Sequence, residues 1–470
     1  MPACSERVQH DELHGAPAVR SGALLLWRRV WSVLVPVLIV AVGGCAPLVP
    51  GGSGDSDVTE KAPPVERRAP DPELARAWSE AVAAAPLVRV GLVRGAGSVV
   101  VSSDGPYRVT VYAGTVTTYE NLGRAWRFDA GGRGLRGRSG DDLFDIVAGT
   151  VRVVPTGDGF LSVDGTAYRG EVEIFLDLTG RLSVVNIIDL ESYLRGVVPL
   201  EIGPRPMDEL EAVKAQAIAA RTYALASGGK RAGGDYDMHA TVADQVYGGV
   251  AAEHETSDRA VLETSGLAVT YGGEPVIAYF HANCGGRTEA RHEVWEMEEV
   301  PYLASILDTP GGLDDLDRAY CREGSGFRWT VEWTGGDVER LVHQGLPEVA
   351  STPVTEPPRS VRDLRVTDRT PSGRVRWLEV ETDAGTWRVY GDRCRWLLRR
   401  EGDRILRSAW FDLDVDRRGG RVTRLVASGR GYGHGVGMCQ HGALERARQG
   451  FSYVDILAHY YRNTTVTREY

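Results

Sequence analysis

Four short stretches carry the residue types that chemistry needs. Pro199-Leu200-Glu201 sets a carboxylic acid among apolar neighbours, with Ile202 next in the chain. Asp244-Gln245-Val246-Tyr247-Gly248-Gly249 places an acid, an amide and a phenol beside a glycine pair. Phe280-His281-Ala282-Asn283-Cys284-Gly285-Gly286-Arg287-Thr288-Glu289 brings together an imidazole, a thiol and a carboxyl. Gly431-Tyr432-Gly433-His434-Gly435-Val436-Gly437-Met438-Cys439-Gln440-His441-Gly442-Ala443 repeats that mixture among glycines. Glycine-rich turns let a backbone come close to a ligand, and loops at element ends are where sites are built. An acid with apolar flanks holds its proton more readily, which is the form a general acid needs. The last stretch lacks the Gly-Lys-Ser/Thr ending of a phosphate loop, and the chain has no Gly-x-Ser-x-Gly elbow and no His-Glu-x-x-His zinc helix.

Each residue also has a plainer reading. His281, Cys284, Cys321 and Cys439 form a candidate metal set, but His281-x-x-Cys284 alone is weak zinc spacing, and a Cys284–Cys321 disulfide competes with it. His281 reads equally as a structural histidine locked in one tautomer, and His434 as a residue that orders its loop. Tyr247 reads as core, and Cys394 as packing.

These stretches need elements to hold them. From Leu87 to about Asp177 the sequence alternates in short apolar-polar runs with Asp-Gly turns, the pattern of a β scaffold. A helix is expected from about Met207 to Ala226, with Leu210, Val213, Ala217 and Ala224 as its buried stripe. At about 100° per residue, Lys214 and Arg221 fall inside that stripe. A buried guanidinium requires a carboxylate or carbonyl partner, so Arg221 implies an acid close by. Glu201 is one candidate partner, and Glu191 and Asp189 are the others. Residues 322–420 return to alternating strands rich in Trp and Val and read as a β-rich insertion. A short helix is expected over Gln440 to Arg448, and Ser452-Tyr453-Val454-Asp455 is a capping box for a last helix ending near Tyr461.

The whole chain has 470 residues, a net charge of -10 and a pI near 5.6. Without a basic stripe it is no nucleic-acid binder, because phosphate contacts need clustered Lys and Arg. Eleven Trp and 18 Tyr supply flat rings with polar tips, which suit sugars as well as cores. Arg28-Arg29, the apolar run Val30 to Val42 and the ending Gly43-Gly44-Cys45 have the form of a bacterial lipoprotein signal. On that reading Cys45 carries lipid, the fold is extracytoplasmic and anchored to a bacterial membrane, and its cysteines sit in an oxidising compartment. The organisation expected is a signal over 1–45, a flexible tether over 46–85, a β-rich region over 86–177, a core in two parts (178–321 and 421–470) and the 322–420 insertion. The fold class is α+β, with a β-rich N-terminal region and a mixed α/β catalytic core.

The ordered motifs Leu190-Glu191-x-Tyr193-Leu194-x-Gly196-Val197-Val198-Pro199-x-Glu201, Lys214-Ala215-Gln216-Ala217-x-Ala219-Ala220-Arg221-Thr222-Tyr223-Ala224, Asp244 to Gly249, Phe280-His281 with Gly285 to Glu289 and Val294-Trp295, and Gly433 to Ala443 resemble the stage II sporulation protein D (SpoIID) family, which includes the LytB-type amidase enhancers. The resemblance runs from about Val172 to Tyr461, with 322–420 poorly matched. It implies a lytic transglycosylase that cuts peptidoglycan glycan strands, especially strands stripped of stem peptides, with Glu201 as the catalytic acid. Arg221, Gln245, Thr288, Glu289, His434 and Gln440 are then expected to line the substrate cleft. The alternative is a non-catalytic binder of glycan that activates a cell-wall amidase. Leu200 and Ile202 stand where many members have Ser and Met, and Cys284 where many have Ser. No cofactor is required by this chemistry, although some members of the family hold zinc near the site.

Overall fold

A computed structural model of the chain describes residues 72–470 apart from 122, 133, 229–234 and 313. The expected signal, the expected lipid site at Cys45 and the expected tether up to residue 71 lie outside the described residues. The expected tether is corrected at its far end, where Pro72–Ala84 is a helix. Proline opens it and Ala recurs through it, both favourable choices for a first turn and an interior. No described helix is long and apolar enough to cross a membrane.

The fold is α+β. Two sheets stack at the N-terminal end. One has seven strands, and its third strand Leu182–Asp189 lies between Leu87–Ala96 and Glu171–Leu176, antiparallel to both. Leu182 through Ile188 are all buried, the polar Ser183 and Asn186 included, so both faces of this strand are covered. Leu182 and Val184 pack with Trp126 and Phe128 of the six-stranded sheet, whereas Ile188 packs into the helical core. The strand therefore feeds both layers and delivers the chain at Asp189 to the site. There the Asp189 carboxylate caps the helix Leu190–Arg195 by accepting from Ser192 N at 2.8 Å.

The helix Leu210–Ser227, preceded by a 3-10 turn over Met207–Glu209, is the spine of the core. Ala212, Ala215, Ala217, Ala219, Ala220 and Ala224 are buried along it, so neighbouring elements approach closely on several sides. Two long-range pairings close the core. Leu267–Tyr271 pairs antiparallel with the C-terminal strand Thr465–Arg468. Phe280–His281 pairs in parallel with Met438–Cys439, which sets the third and fourth motifs side by side across more than 150 residues of sequence. The helix Gln440–Arg448 and the Ser452-capped helix Tyr453–Tyr460, with its full capping box, are present as expected.

The insertion is a unit with its own apolar core. Its entry strand Arg328–Thr334 and exit strand Arg421–Arg430 pair antiparallel, Arg328 opposite Arg430, so the chain enters and leaves at one place. That moves the expected boundary, since the strand beginning at Arg421 belongs to the insertion sheet and not to the core. The insertion also holds a helix that strand-like patterning hid, Gly335–Val349, capped by Thr334 and Asp337.

Candidate functional site

Glu201 sits on a one-turn helix, Val198–Ile202, rather than in a bare turn. Pro199 in its first turn pre-sets the backbone angle a helix needs, and Gly203 ends it at φ 81°. Pro199 and Ile202 are buried, while Leu200 remains 45% exposed. The motif Asp244 to Gly249 packs directly on this helix. Gly248 N donates to Gly196 O at 3.1 Å, and a Cβ on Gly248 would lie 2.7 Å from Leu200 Cδ1. Val246 N donates to Glu201 Oε1 at 2.9 Å. The carboxyl is half-buried, and among the described residues no cation pairs with it. Burial pushes its pKa up to about 7, with the single Val246 hydrogen bond opposing. An acid in that range populates both protonation states at neutral pH, as a group acting first as acid and then as base must.

Arg221 does not touch Glu201. It makes a two-pronged pair with Glu191, Nε to Oε1 at 2.9 Å and Nη2 to Oε2 at 2.6 Å, and both side chains are fully buried. The Leu267 and Val261 carbonyls take further guanidinium protons, and Tyr470 and Gly266 donate to Glu191. Burial alone would raise the Glu191 pKa, but the Arg221 charge and these donors outweigh it and hold the carboxyl below its ordinary value. The buried guanidinium thus has its acid partner, and the expectation that Arg221 lines the cleft is corrected: it ties the Glu191 helix to the spine from beneath. This pairing frees Glu201 from the cation that would have kept it ionised.

A row of half-buried rings leads from Asp244 of the second motif to His434 of the fourth. Tyr223 on the spine donates to Asp244 Oδ1 at 3.3 Å. Its ring lies 6.0 Å from Tyr279, Tyr279 lies 4.8 Å from Trp295, and Trp295 lies 5.1 Å from His434. The Val436 N–H donates to His434 Nδ1 at 3.0 Å, and burial lowers the His434 pKa to about 4, so the imidazole is neutral. Tyr223, Tyr279 and Trp295 were not among the expected site residues. Their signal in the sequence was only that they lie within or beside the motifs, since a lone aromatic reads as core.

The other expected cleft residues serve mostly beneath the surface. Gln245 is fully buried, accepting from Tyr193 OH and donating to Ala220 O, and so holds the loop that carries Val246. Tyr247 is core, as expected, with its hydroxyl on Asn186. Thr288 accepts from Ile306 N. Gln440 donates to Gln216 on the spine. Glu289 is buried and receives Thr370 Oγ1 and Ser372 Oγ, each at 2.6 Å. Arg374 from the same insertion turn donates to the Cys284 and Arg287 carbonyls. The insertion therefore buttresses the third motif, a role its sequence does not reveal.

The candidate metal set is changed in one member. Cys284, Cys321 and Cys439 converge as free, buried thiols, and no disulfide joins Cys284 to Cys321, whose sulfurs are 3.5 Å apart. The fourth group is Asp308, not His281. His281 instead faces Val436 O at 3.1 Å and the His434 ring. Cys394 lies apart, packed in the insertion core.

Residues 179–271 match the family described as Stage II sporulation protein, and residues 321–437 match a domain of unknown function that coincides with the insertion. The chain is 30% identical over 334 residues to the amidase enhancer of Bacillus subtilis, covering 65% of this chain and 45% of that protein. It is 27% identical over 320 residues to stage II sporulation protein D of Bacillus subtilis, covering 64% of this chain and 81% of that protein. An uncharacterized protein of Brachyspira hyodysenteriae is 29% identical over 316 residues, covering 67% and 76%. The resemblance read from the ordered motifs is therefore borne out, while the chain spans less than half the length of the enhancer it matches.

Proposed function

We propose that this protein cleaves peptidoglycan glycan strands as a lytic transglycosylase, with Glu201 as its single acid and base. The observation that carries this reading is the half-buried Glu201 carboxyl, which has no cation partner among the described residues and a pKa raised to about 7. Protonated Glu201 gives its proton to the glycosidic oxygen as the bond to C1 breaks. The resulting carboxylate then takes the proton of the muramoyl 6-hydroxyl as that oxygen bonds to C1, leaving an anhydro end and restoring the acid. No second carboxylate is needed, because the nucleophile belongs to the substrate. The ring row from Tyr223 to Trp295 offers apolar faces to successive sugars. Anchoring through a lipid on Cys45, outside the cytoplasmic membrane, would place this cleft beside its substrate.

A second reading has its own support, the similarity to a protein named an amidase enhancer. On that reading the same cleft binds glycan without cutting it and presents it to a cell-wall amidase. The test is to incubate the purified chain with glycan strands, with and without stem peptides, and to identify the new ends. Anhydromuramoyl ends that vanish with Glu201→Gln support the lytic reading. Binding with no new ends supports the enhancer, and reducing ends overturn the single-acid mechanism.

A further inference from the structure

We propose that Cys284, Asp308, Cys321 and Cys439 bind one structural zinc ion, which fastens the insertion to the core. The site is independent of whichever reaction the cleft runs.

The donor atoms already stand at the spacing of a coordination shell. All four lie within 4.8 Å of one another. Cys284 Sγ is 3.5 Å from Cys321 Sγ and 3.3 Å from Asp308 Oδ2. For tetrahedral zinc with Zn–S near 2.3 Å and Zn–O near 2.1 Å, the edges are about 3.8 Å between sulfurs and about 3.6 Å between sulfur and oxygen. Three thiols also exceed what a disulfide can use, since pairing any two would strand the third.

The surroundings match a zinc–thiolate site. Backbone N–H groups point at the sulfurs: Cys284 N and Gly442 N at Cys439 Sγ, at 3.2 and 3.4 Å, and Gly286 N at Cys284 Sγ, at 3.4 Å. Cys439 is the N-cap of the helix Gln440–Arg448, where the helix dipole favours an anion. Asp308 is oriented by Tyr460 OH, 3.0 Å from each of its oxygens, and by Arg446 at 3.4 Å, with His459 also 3.4 Å away. Such outer partners fix a ligand's direction and offset the surplus negative charge of a three-thiolate, one-carboxylate shell. Room for this is reserved at Gly442, where a Cβ would lie 2.2 Å from both Asp308 Oδ2 and Tyr460 OH. Four protein atoms complete a closed, buried shell, which is the structural and not the catalytic type.

The ligands' places in the chain give the ion its task. Cys321 lies just before the insertion's entry strand and Cys439 just after its exit strand. Cys284 and Asp308 belong to the core on the N-terminal side. One ion would hold both ends of the insertion against the loop that carries the third motif.

Metal analysis of the purified chain, prepared without chelators, tests this directly. About one zinc per chain is expected, released as the three thiols are modified in denaturant. Cys321→Ser and Cys439→Ser should each lower zinc below about a fifth of that value, whereas Cys394→Ser should retain it. If the two serine variants fail to fold, treating the wild type with a strong zinc chelator serves instead, with an expected fall in Tm that added zinc reverses. A linked Cys284–Cys321 peptide in unreduced protein, a different metal at one per chain, or no metal even after zinc supplementation would overturn the assignment.

Discussion

Replacing Glu201 by Gln should stabilise the protein, and only above acidic pH. The folded carboxyl has a pKa near 7 against an ordinary 4.5. Below 4.5 both the folded and the unfolded chain hold the proton, and the group contributes no pH dependence. Between 4.5 and 7 the unfolded chain releases its proton while the folded one keeps it, so stability falls as pH rises, and above 7 the loss is complete. The interval of 7 − 4.5 = 2.5 pH units, at about 1.4 kcal/mol each, sets an upper value of roughly 3.4 kcal/mol, which the carboxyl's partial exposure reduces to about 1–3. Glutamine keeps the shape and can still accept the Val246 hydrogen bond, but it never carries the charge. Urea unfolding of both proteins at pH 4, 5.5, 7 and 8 measures the difference. The gap between variant and wild type should open steadily from pH 4 and level off by pH 8. Parallel curves would mean an unperturbed carboxyl, and a wild type more stable than the variant at pH 8 would mean that Glu201 has a cation partner after all. Either result removes the physical basis for its acid role, whatever the activity assay reports.

Three further outcomes follow from the same geometry. Arg221→Met should cost about 3–5 kcal/mol, because Glu191 is left charged and buried, and Arg221→Met with Glu191→Leu should recover much of it; denaturant midpoints decide, and a single variant within 1 kcal/mol of wild type would contradict a buried pair. Trp295→Ala should raise KM for glycan strands roughly three- to tenfold through lost ring contact and leave the pH profile in place. Gly248→Ala puts a methyl 2.7 Å from Leu200 Cδ1 and 3.1 Å from Ala252 Cβ, so the half-exposed Leu200 side chain next to Glu201 must swing aside; cleavage should fall while Tm moves by only a few degrees, and an unchanged rate would show that the Leu200 contact does not position the acid.

What the sequence discloses here depends on whether a residue's partners lie nearby in the chain. The spine helix, the Ser452 capping box and the N-terminal strands rest on local periodicity and capping, and they are found where the pattern puts them. Arg221 shows the intermediate case. Its position in a buried stripe predicts an acid, but 30 residues of sequence separate it from Glu191, and local pattern does not choose among Glu191, Asp189 and Glu201. Asp308 shows the limit. It contacts Cys284, Arg446 and Tyr460, the latter two 138 and 152 residues away, and its own neighbours in sequence do not distinguish it from other acids in the same segment. The insertion's turn at Thr370, Ser372 and Arg374 is equally silent, because its role exists only once Glu289 and the Cys284 carbonyl are brought to it. Motifs thus reveal which segments build the site, while the fold reveals what each of their side chains does: Gln245, Thr288 and Glu289 are buried supports, and their partners lie elsewhere in the chain. The separation has a physical origin: a catalytic acid needs a local apolar setting that short sequence can encode, whereas a buried charge or ligand needs a partner, and a partner has no obligation to be close along the chain.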